Sequence, residues 1–74
     1  MLARKTYDAT AIGAAGTMTY GGASQMDGGY ERFATHIADL EAMEANGMVR
    51  IEYRHHESGT GDRHVDLVRF TRLK

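Results

Sequence analysis

Apolar residues recur with helical spacing in the middle of the chain, over residues 30–46. Phe33, Ile37 and Leu40 follow one another at steps of four and three, which places them on one side of a helix. The opposite side of this helix is expected to carry Arg32, Thr35, His36, Asp39 and Met43. Gly47 comes next, and glycine most readily adopts the left-handed conformation that ends a helix. The pattern therefore predicts an amphipathic helix over 30–46.

The spacing changes to a period of two directly after that helix, which is typical of a strand with one buried face. Apolar and charged residues alternate over 48–54, and a second apolar-rich run closes the chain over 64–73. Between them residues 58–61, Ser-Gly-Thr-Gly, have the composition of a tight turn. Counting outward from this turn predicts an antiparallel register with two apolar pairs on the core side, Ile51–Val68 and Val49–Phe70.

The same register predicts a second face of the strand pair that is rich in basic side chains. It would gather Arg50, Arg54, His56, Arg63 and Arg69, with Glu52 among them. Val65 and Leu67 would be apolar on this outward face, and exposed apolar pairs often mark a partner surface, here a homodimer. Alternatively the first helix covers them, or a β-bulge near Leu67–Val68 changes which residues point inward.

The first 29 residues carry a weaker signal than the rest of the chain. Residues 3–16 are compatible with a helix, although their threonines and glycines lower its propensity. The inner side of that helix would hold Leu2, Thr6, Ala9 and Ile12. A short extended segment is predicted at 17–20, followed by one helical turn at 22–25.

Length and composition narrow the class of protein. Seventy-four residues predict one domain, 1–74. A core this small gives little stability without disulfides, a structural metal or oligomerisation. The chain has no cysteine, so neither disulfides nor cysteine-based zinc sites are available. It also contains no apolar run of membrane-spanning length, and a cytoplasmic protein with no membrane partner is the expectation.

Charge is distributed unevenly, although the net charge is only −1. Residues 27–46 carry five acidic residues against one arginine, whereas residues 50–74 carry six basic residues against four acidic ones. The predicted helix is therefore acidic and the predicted strand pair is basic. Such a dipolar chain can present either sign of charge to a partner.

The order of elements resembles the winged helix-turn-helix domain of bacterial regulators. MTYGGASQM (18–26) is similar to the first strand and second helix of that domain, and LEAMEANGMVRIEYR (40–54) to the passage from recognition helix to wing. VDLVRFTRL (65–73) is similar to the closing wing strand. The resemblance covers 17–73 and implies a small winged-helix-like α+β domain, with two or three helices followed by a C-terminal antiparallel β-hairpin. The glycine pair 21–22 and the acidic recognition helix depart from the family pattern.

The resemblance also implies a function, a small double-stranded DNA-binding protein that regulates transcription, expected as a homodimer. The helix 30–46 would enter the major groove, and the loop 58–63 would lie on the adjacent backbone. The implied DNA-binding residues are Tyr30, Arg32, Thr35 and His36 on the helix, and Arg54, Thr60, Arg63 and His64 on the strand pair. Alternatively the strand face carries charge only to remain soluble and to discourage edge pairing.

A second hypothesis comes from a different class of protein. The acidic residues Asp39, Glu41 and Glu44 favour a small protein-binding inhibitor or adaptor of the kind that phages and mobile elements encode, for example anti-CRISPR-like. Such a protein would use its acidic helix to occupy a nucleic-acid-binding surface on a target protein.

The sequence indicates neither a metal site nor a catalytic nucleophile. His55 and His56 are adjacent and would point to opposite faces of a strand, so with His64 they do not supply three convergent ligands. The glycine-rich stretches do not have the spacing of phosphate-binding loops, and neither Ser24 nor Ser58 has a base at a suggestive spacing. We therefore expect no enzyme, no metal and no cofactor.

Overall fold

The computed structural model describes residues 2–20, 29–59 and 61–74, and within these ranges it contains two helices and three strands. In chain order the elements are α1 (Leu2–Asp8), β1 (Ala15–Thr19), α2 (Gly29–Ala45), β2 (Val49–His56) and β3 (Val65–Arg72). The strands form one antiparallel sheet in the order β1–β3–β2. A small α+β architecture is thus confirmed. Neither described helix is long and apolar enough to cross a membrane.

The hydrophobic core lies between the two helices and one face of the sheet. Six large side chains are almost completely buried there: Phe33, Phe70, Met18, Leu40, Val49 and Val68. Each contributes about 1.5–3 kcal/mol relative to an exposed position. Because α1 and α2 both pack on this side, the opposite face of the sheet is left open within the described residues.

Helix α2 confirms the amphipathic helix, but its buried side is wider than the sequence pattern indicated. His36 and Met43 lie on the buried side with Phe33, Ile37 and Leu40, and His36 is only 9% exposed. The prediction that His36 faces outward toward DNA is therefore wrong. Position 36 follows Phe33 by three residues and precedes Leu40 by four, so helical geometry places it on the apolar stripe whatever its polarity.

The helix ends as predicted. Gly47 adopts the left-handed conformation, with φ at 73°. The amide of Gly47 donates to the carbonyl of Glu44 at 2.9 Å, and the amide of Met48 donates to that of Met43 at 3.0 Å. These bonds satisfy carbonyls at the helix end, and the half-buried Met48 packs on the core.

The register of β2 and β3 differs from the predicted one by two residues. Ile51 pairs with Phe70, not with Val68, and Val49 pairs with Arg72. The connection continues past Gly61 on the β3 side only, so Glu57 lies opposite His64 and not Asp62, and each residue of β2 before the bulge pairs two positions further along β3. The shift of two keeps Val49, Val68 and Phe70 on the core side, as expected of a period-two pattern.

A β-bulge at Glu52 separates the basic residues that the sequence placed on one face. Ile51 pairs with Phe70 and Tyr53 with Arg69, so two residues of β2 lie opposite one residue of β3. Beyond the bulge Arg54 pairs with the buried Val68 on the helix side, whereas Arg69 lies on the open side. The prediction of a single basic face on the strand pair is therefore wrong.

A second irregularity in the register determines on which side of the sheet Val65 and Leu67 lie. The register shifts again between His55 and His56, at Asp66. As a result Val65 packs against the core, while Leu67 remains on the open side opposite His55 and is half-buried. The bulge alternative is confirmed for Val65, but the irregularity lies at Asp66 and not at the predicted Leu67–Val68.

The N-terminal helix buries a different side from the one predicted. Ala3, Tyr7 and Thr10 are buried, whereas Ile12 is 68% exposed. The buried residues are spaced by four and then three, as predicted, but the series begins at Ala3 and not at Leu2. The reason is that the ring of Tyr7 has more apolar area than any other side chain nearby. Strand β1 begins two residues before the predicted segment 17–20. The predicted helical turn at 22–25 lies outside the described residues.

Arg72, the last residue of β3, attaches α1 to the sheet. Its guanidinium donates to the carbonyl oxygens of Tyr7 at 3.3 Å and Thr10 at 2.9 Å. It also lies 4.1 Å from the centre of the Tyr7 ring. The Tyr7 hydroxyl in turn donates to the carbonyl of Lys74. One cation therefore binds two carbonyls at the end of the short helix and stacks on its largest side chain.

Candidate nucleic-acid interface

Three stacked rings join the start of α2 to the end of the loop before β3. The ring of Tyr30 lies between that of Tyr20, 4.0 Å away between centres, and that of His64, 4.8 Å away. Both pairs are within 15° of parallel, and the buried ring of Phe33 meets Tyr20 edge-on. The helix that the sequence assigned to a DNA groove and the loop assigned to the backbone therefore lie side by side.

The base of the loop is closed by a reciprocal pair of hydrogen bonds. The amide of Glu57 donates to the carbonyl of His64 at 2.8 Å, and the amide of His64 donates to the Glu57 carboxylate at 2.9 Å. Glu57 is only 6% exposed, which is uncommon for a carboxylate and requires hydrogen-bond donors around it. These bonds hold His64 in place for stacking on Tyr30.

Partial burial raises the pKa of Tyr30, and the negative charges near it, that of Glu57 foremost, raise it further. The folded chain therefore holds the Tyr30 proton more tightly than the unfolded chain does. Its contribution to stability is complete below the unfolded value of about 10 and is lost as pH rises through the higher folded value. In an absorbance titration we expect Tyr30→Phe to remove a phase at raised pH, because the tyrosine with the raised pKa is Tyr30. If that phase persisted in the variant, the raised pKa would belong to another tyrosine, and the position of Tyr30 between the two other rings would be contradicted.

Four of the predicted DNA-binding residues come together at this end of the molecule. Tyr30 and His64 form the stack, and Arg32 and Arg63 are each within two residues of it and exposed. Arg63 has a positive φ of 54°, a backbone conformation that turns the chain sharply before β3. Thr35 is exposed one turn further along α2, and its hydroxyl donates to the Arg32 carbonyl at 2.6 Å.

Two of the other predicted residues, His36 and Arg54, do not join this surface. His36 is buried, and Thr60 lies outside the described residues. Arg54 lies on the helix side of β2 and forms an ion pair with Glu41 of α2 at 3.2 Å. Its charge is thereby compensated within the domain, which reduces what it can offer a phosphate.

Carboxylates also surround the surface. Glu31 is exposed on α2 directly before Arg32, and Asp62 lies 3.7 Å from the His64 imidazole. The surface is therefore of mixed sign, and any polyanion would be bound by the forked guanidinium groups of Arg32 and Arg63. Within the described parts of the chain, no three histidine or acidic residues are grouped so that they could hold a metal ion.

Sequence reasoning missed two features of the site. The Tyr20–Tyr30–His64 stack joins residues far apart in the chain, and single-residue patterns carry no signal for such a contact. The open side of the sheet was missed as well, because it depends on the bulge at Glu52. That bulge places Tyr53, which is 50% exposed, on the side away from the helices.

Comparison with known proteins adds no precedent for this arrangement of rings and arginines. The surface must therefore be interpreted from its own chemistry: two exposed guanidinium groups, a stacked histidine and flanking carboxylates at the junction of α2 and the loop. No protein family, curated protein or solved structure matches this chain.

Proposed function

We propose that the chain is a small winged-helix-like regulator that binds double-stranded DNA through the junction of α2 and the loop preceding β3. The observation that carries this proposal is the Tyr20–Tyr30–His64 stack, which places the start of a helix beside a loop with exposed arginines on both. The strand order β1–β3–β2, with α2 leading directly into β2, is compatible with a winged-helix arrangement.

The roles of the residues follow from their positions. Arg32 and Thr35 lie on the exposed side of the first turns of α2, where side chains can reach base edges in a major groove. Arg63 lies in the loop, where a guanidinium can bind backbone phosphate. The affinity of a single chain for DNA would be modest, because each chain offers few cations and Glu31 lies close by. A homodimer would double the phosphate contacts.

Fluorescence anisotropy of a labelled duplex of random sequence tests this proposal directly. Between 50 and 200 mM salt the association constant should fall steeply, since each phosphate contact adds about 0.9 to the slope of its logarithm against log salt. We expect Arg63→Ala to weaken binding equally on all sequences and to reduce that slope by about 1, and Arg32→Ala to change sequence preference. No anisotropy change at 50 mM salt would refute the proposal.

Arg54→Ala provides the matched control. It removes one positive charge, as Arg63→Ala does, but from β2 and from a guanidinium that is already paired with Glu41. Duplex affinity should therefore change less for Arg54→Ala than for Arg63→Ala. Equal losses would show that net charge alone governs binding and that the helix–loop junction has no special part in it.

A second candidate function is the protein-binding inhibitor or adaptor acting through α2. Glu31 and Asp39 support it, because neither side chain has a hydrogen bond or ion pair among the described residues. Glu41 and Glu44 are already engaged, Glu41 with Arg54 and Glu44 with the amide of Ile51 at 2.7 Å. Of the acidic residues on this helix, Glu31 and Asp39 would thus be the ones available to a basic target surface.

The two candidates respond in opposite ways to one variant. Changing both Glu31→Gln and Asp39→Asn removes two negative charges from α2. Duplex affinity should rise if DNA is the partner, because repulsion from phosphates is relieved. It would remain undetectable for a protein-binding inhibitor, whose inhibitory activity would fall instead.

A further inference from the structure

The side of the sheet that faces away from both helices forms a second surface, which we name the open sheet face. Its rows follow from the strand register: Thr17, Arg69 and Tyr53 in one row, and Thr19, Leu67 and His55 in the next. Cross-strand partners share one face, so these six side chains lie together. The surface is three strands wide, and none of its side chains is fully buried.

Two aromatic rings lie next to each other on this face. Tyr53 is 50% exposed, the centre of its ring is 6.5 Å from that of His55, and the two rings are tilted by 47°. The Nδ1 atom of His55 is 2.6 Å from an oxygen of Asp66, a contact that holds the imidazole in one orientation. Exposed rings held on a rigid sheet bind planar partners at low entropic cost.

Among the described residues, one cation on this face remains available to a ligand. Glu52 accepts from Arg50 at 2.5 Å and from Thr71 at 3.2 Å, and the bond from Arg50 lowers the pKa of Glu52. Asp66 is engaged with His55. Arg69 lies directly opposite Tyr53, is exposed, and has no side-chain hydrogen bond or ion pair in the described part of the chain. The cation that the open sheet face can offer a ligand is therefore Arg69, which lies beside the rings.

We propose that the open sheet face binds single-stranded nucleic acid. Consecutive unpaired bases stack on Tyr53 and His55, and the guanidinium of Arg69 binds the phosphate between them. A paired duplex presents its base edges and not its base planes, so stacked rings favour a single strand. Rings and phosphate binding serve single-stranded DNA and RNA alike. This site is separate from the duplex surface, which lies on the helix side of the sheet.

Binding of labelled eight-nucleotide oligothymidylate and oligouridylate, measured by anisotropy at 50 mM salt, tests the proposal. We expect Tyr53→Ala to weaken binding by roughly tenfold, the usual cost of removing one stacking ring. Arg69→Gln should weaken it several-fold and reduce the salt slope by about 0.7, the value for one phosphate of a single strand. Tighter binding of one oligonucleotide than the other identifies which strand the site prefers.

Two controls separate this surface from the duplex surface and from loss of folding. Tyr53→Phe keeps the ring and should keep affinity, and Arg32→Ala removes a cation from α2 and should leave single-strand affinity unchanged. Thermal unfolding of each variant reports its stability. No binding at 50 mM salt, or wild-type affinity in Tyr53→Ala, would overturn the proposal. Loss in Arg32→Ala alone would place the single strand on α2. Single-strand binding without duplex binding would leave this site standing and remove the proposed regulator function.

Discussion

Gly16→Ala is expected to destabilise the domain by about 3 kcal/mol or more, because the added methyl group has no room. A Cβ atom at this position would lie 2.4 Å from Oγ1 of Thr10 and 2.6 Å from Cζ of Phe70. Phe70 is fully buried, and Thr10 is held by its hydroxyl bond to the carbonyl of Thr6 at 2.7 Å. Neither neighbour can move without opening the core or breaking the end of α1.

Thermal unfolding provides the measurement. For a domain of this size each 1 kcal/mol lowers Tm by about 4–8 °C, so a loss of at least about 12 °C is expected. Gly59→Ala is the matched control, since its Cβ would make only an ordinary contact, 3.9 Å from Glu57, and it should change stability by less than about 0.5 kcal/mol. Equal Tm values for the two variants would contradict the close packing of β1 on Phe70.

The elements that the sequence predicted well are those defined by local spacing. Helix α2 and its glycine end follow from steps of three and four and from the freedom of glycine at positive φ. The strands β2 and β3 follow from period-two alternation. These signals act over a few residues, so they depend little on the rest of the fold.

The candidate site depended on features that the sequence does not mark. A bulge at Glu52 moves Arg54 to the helix side and Tyr53 to the open side, yet no residue type requires a bulge there. His36 was assigned to the exposed side because it is polar, although its position on the stripe decides its burial. The stack on Tyr30 is a tertiary contact, and its partners are set by how the sheet packs, not by neighbours in sequence.

Arg72→Ala is expected to cost about 3 kcal/mol, because it removes three charge-assisted hydrogen bonds, to the carbonyls of Tyr7, Thr10 and Lys74, and one cation–ring contact. Its guanidinium binds the carbonyls of Tyr7 and Thr10 and stacks on the Tyr7 ring. Helix α1 has only seven residues, too few to be stable alone, so it depends on this attachment. We therefore expect α1 to open locally in addition to the global loss of stability.

Amide hydrogen exchange distinguishes local opening from global unfolding, since each amide reports its own opening free energy. In Arg72→Ala the amides at the end of α1 should exchange faster than those of α2, whose protection should follow global stability alone. Arg69→Ala, three residues earlier on β3 but exposed on the other side, should leave both helices unchanged. Arg72→Lys keeps the charge without the fork and should recover only part of the loss. If α1 remained as protected as α2 in Arg72→Ala, the helix would be held mainly by Ala3 and Tyr7 in the core, and the attachment through β3 would be secondary.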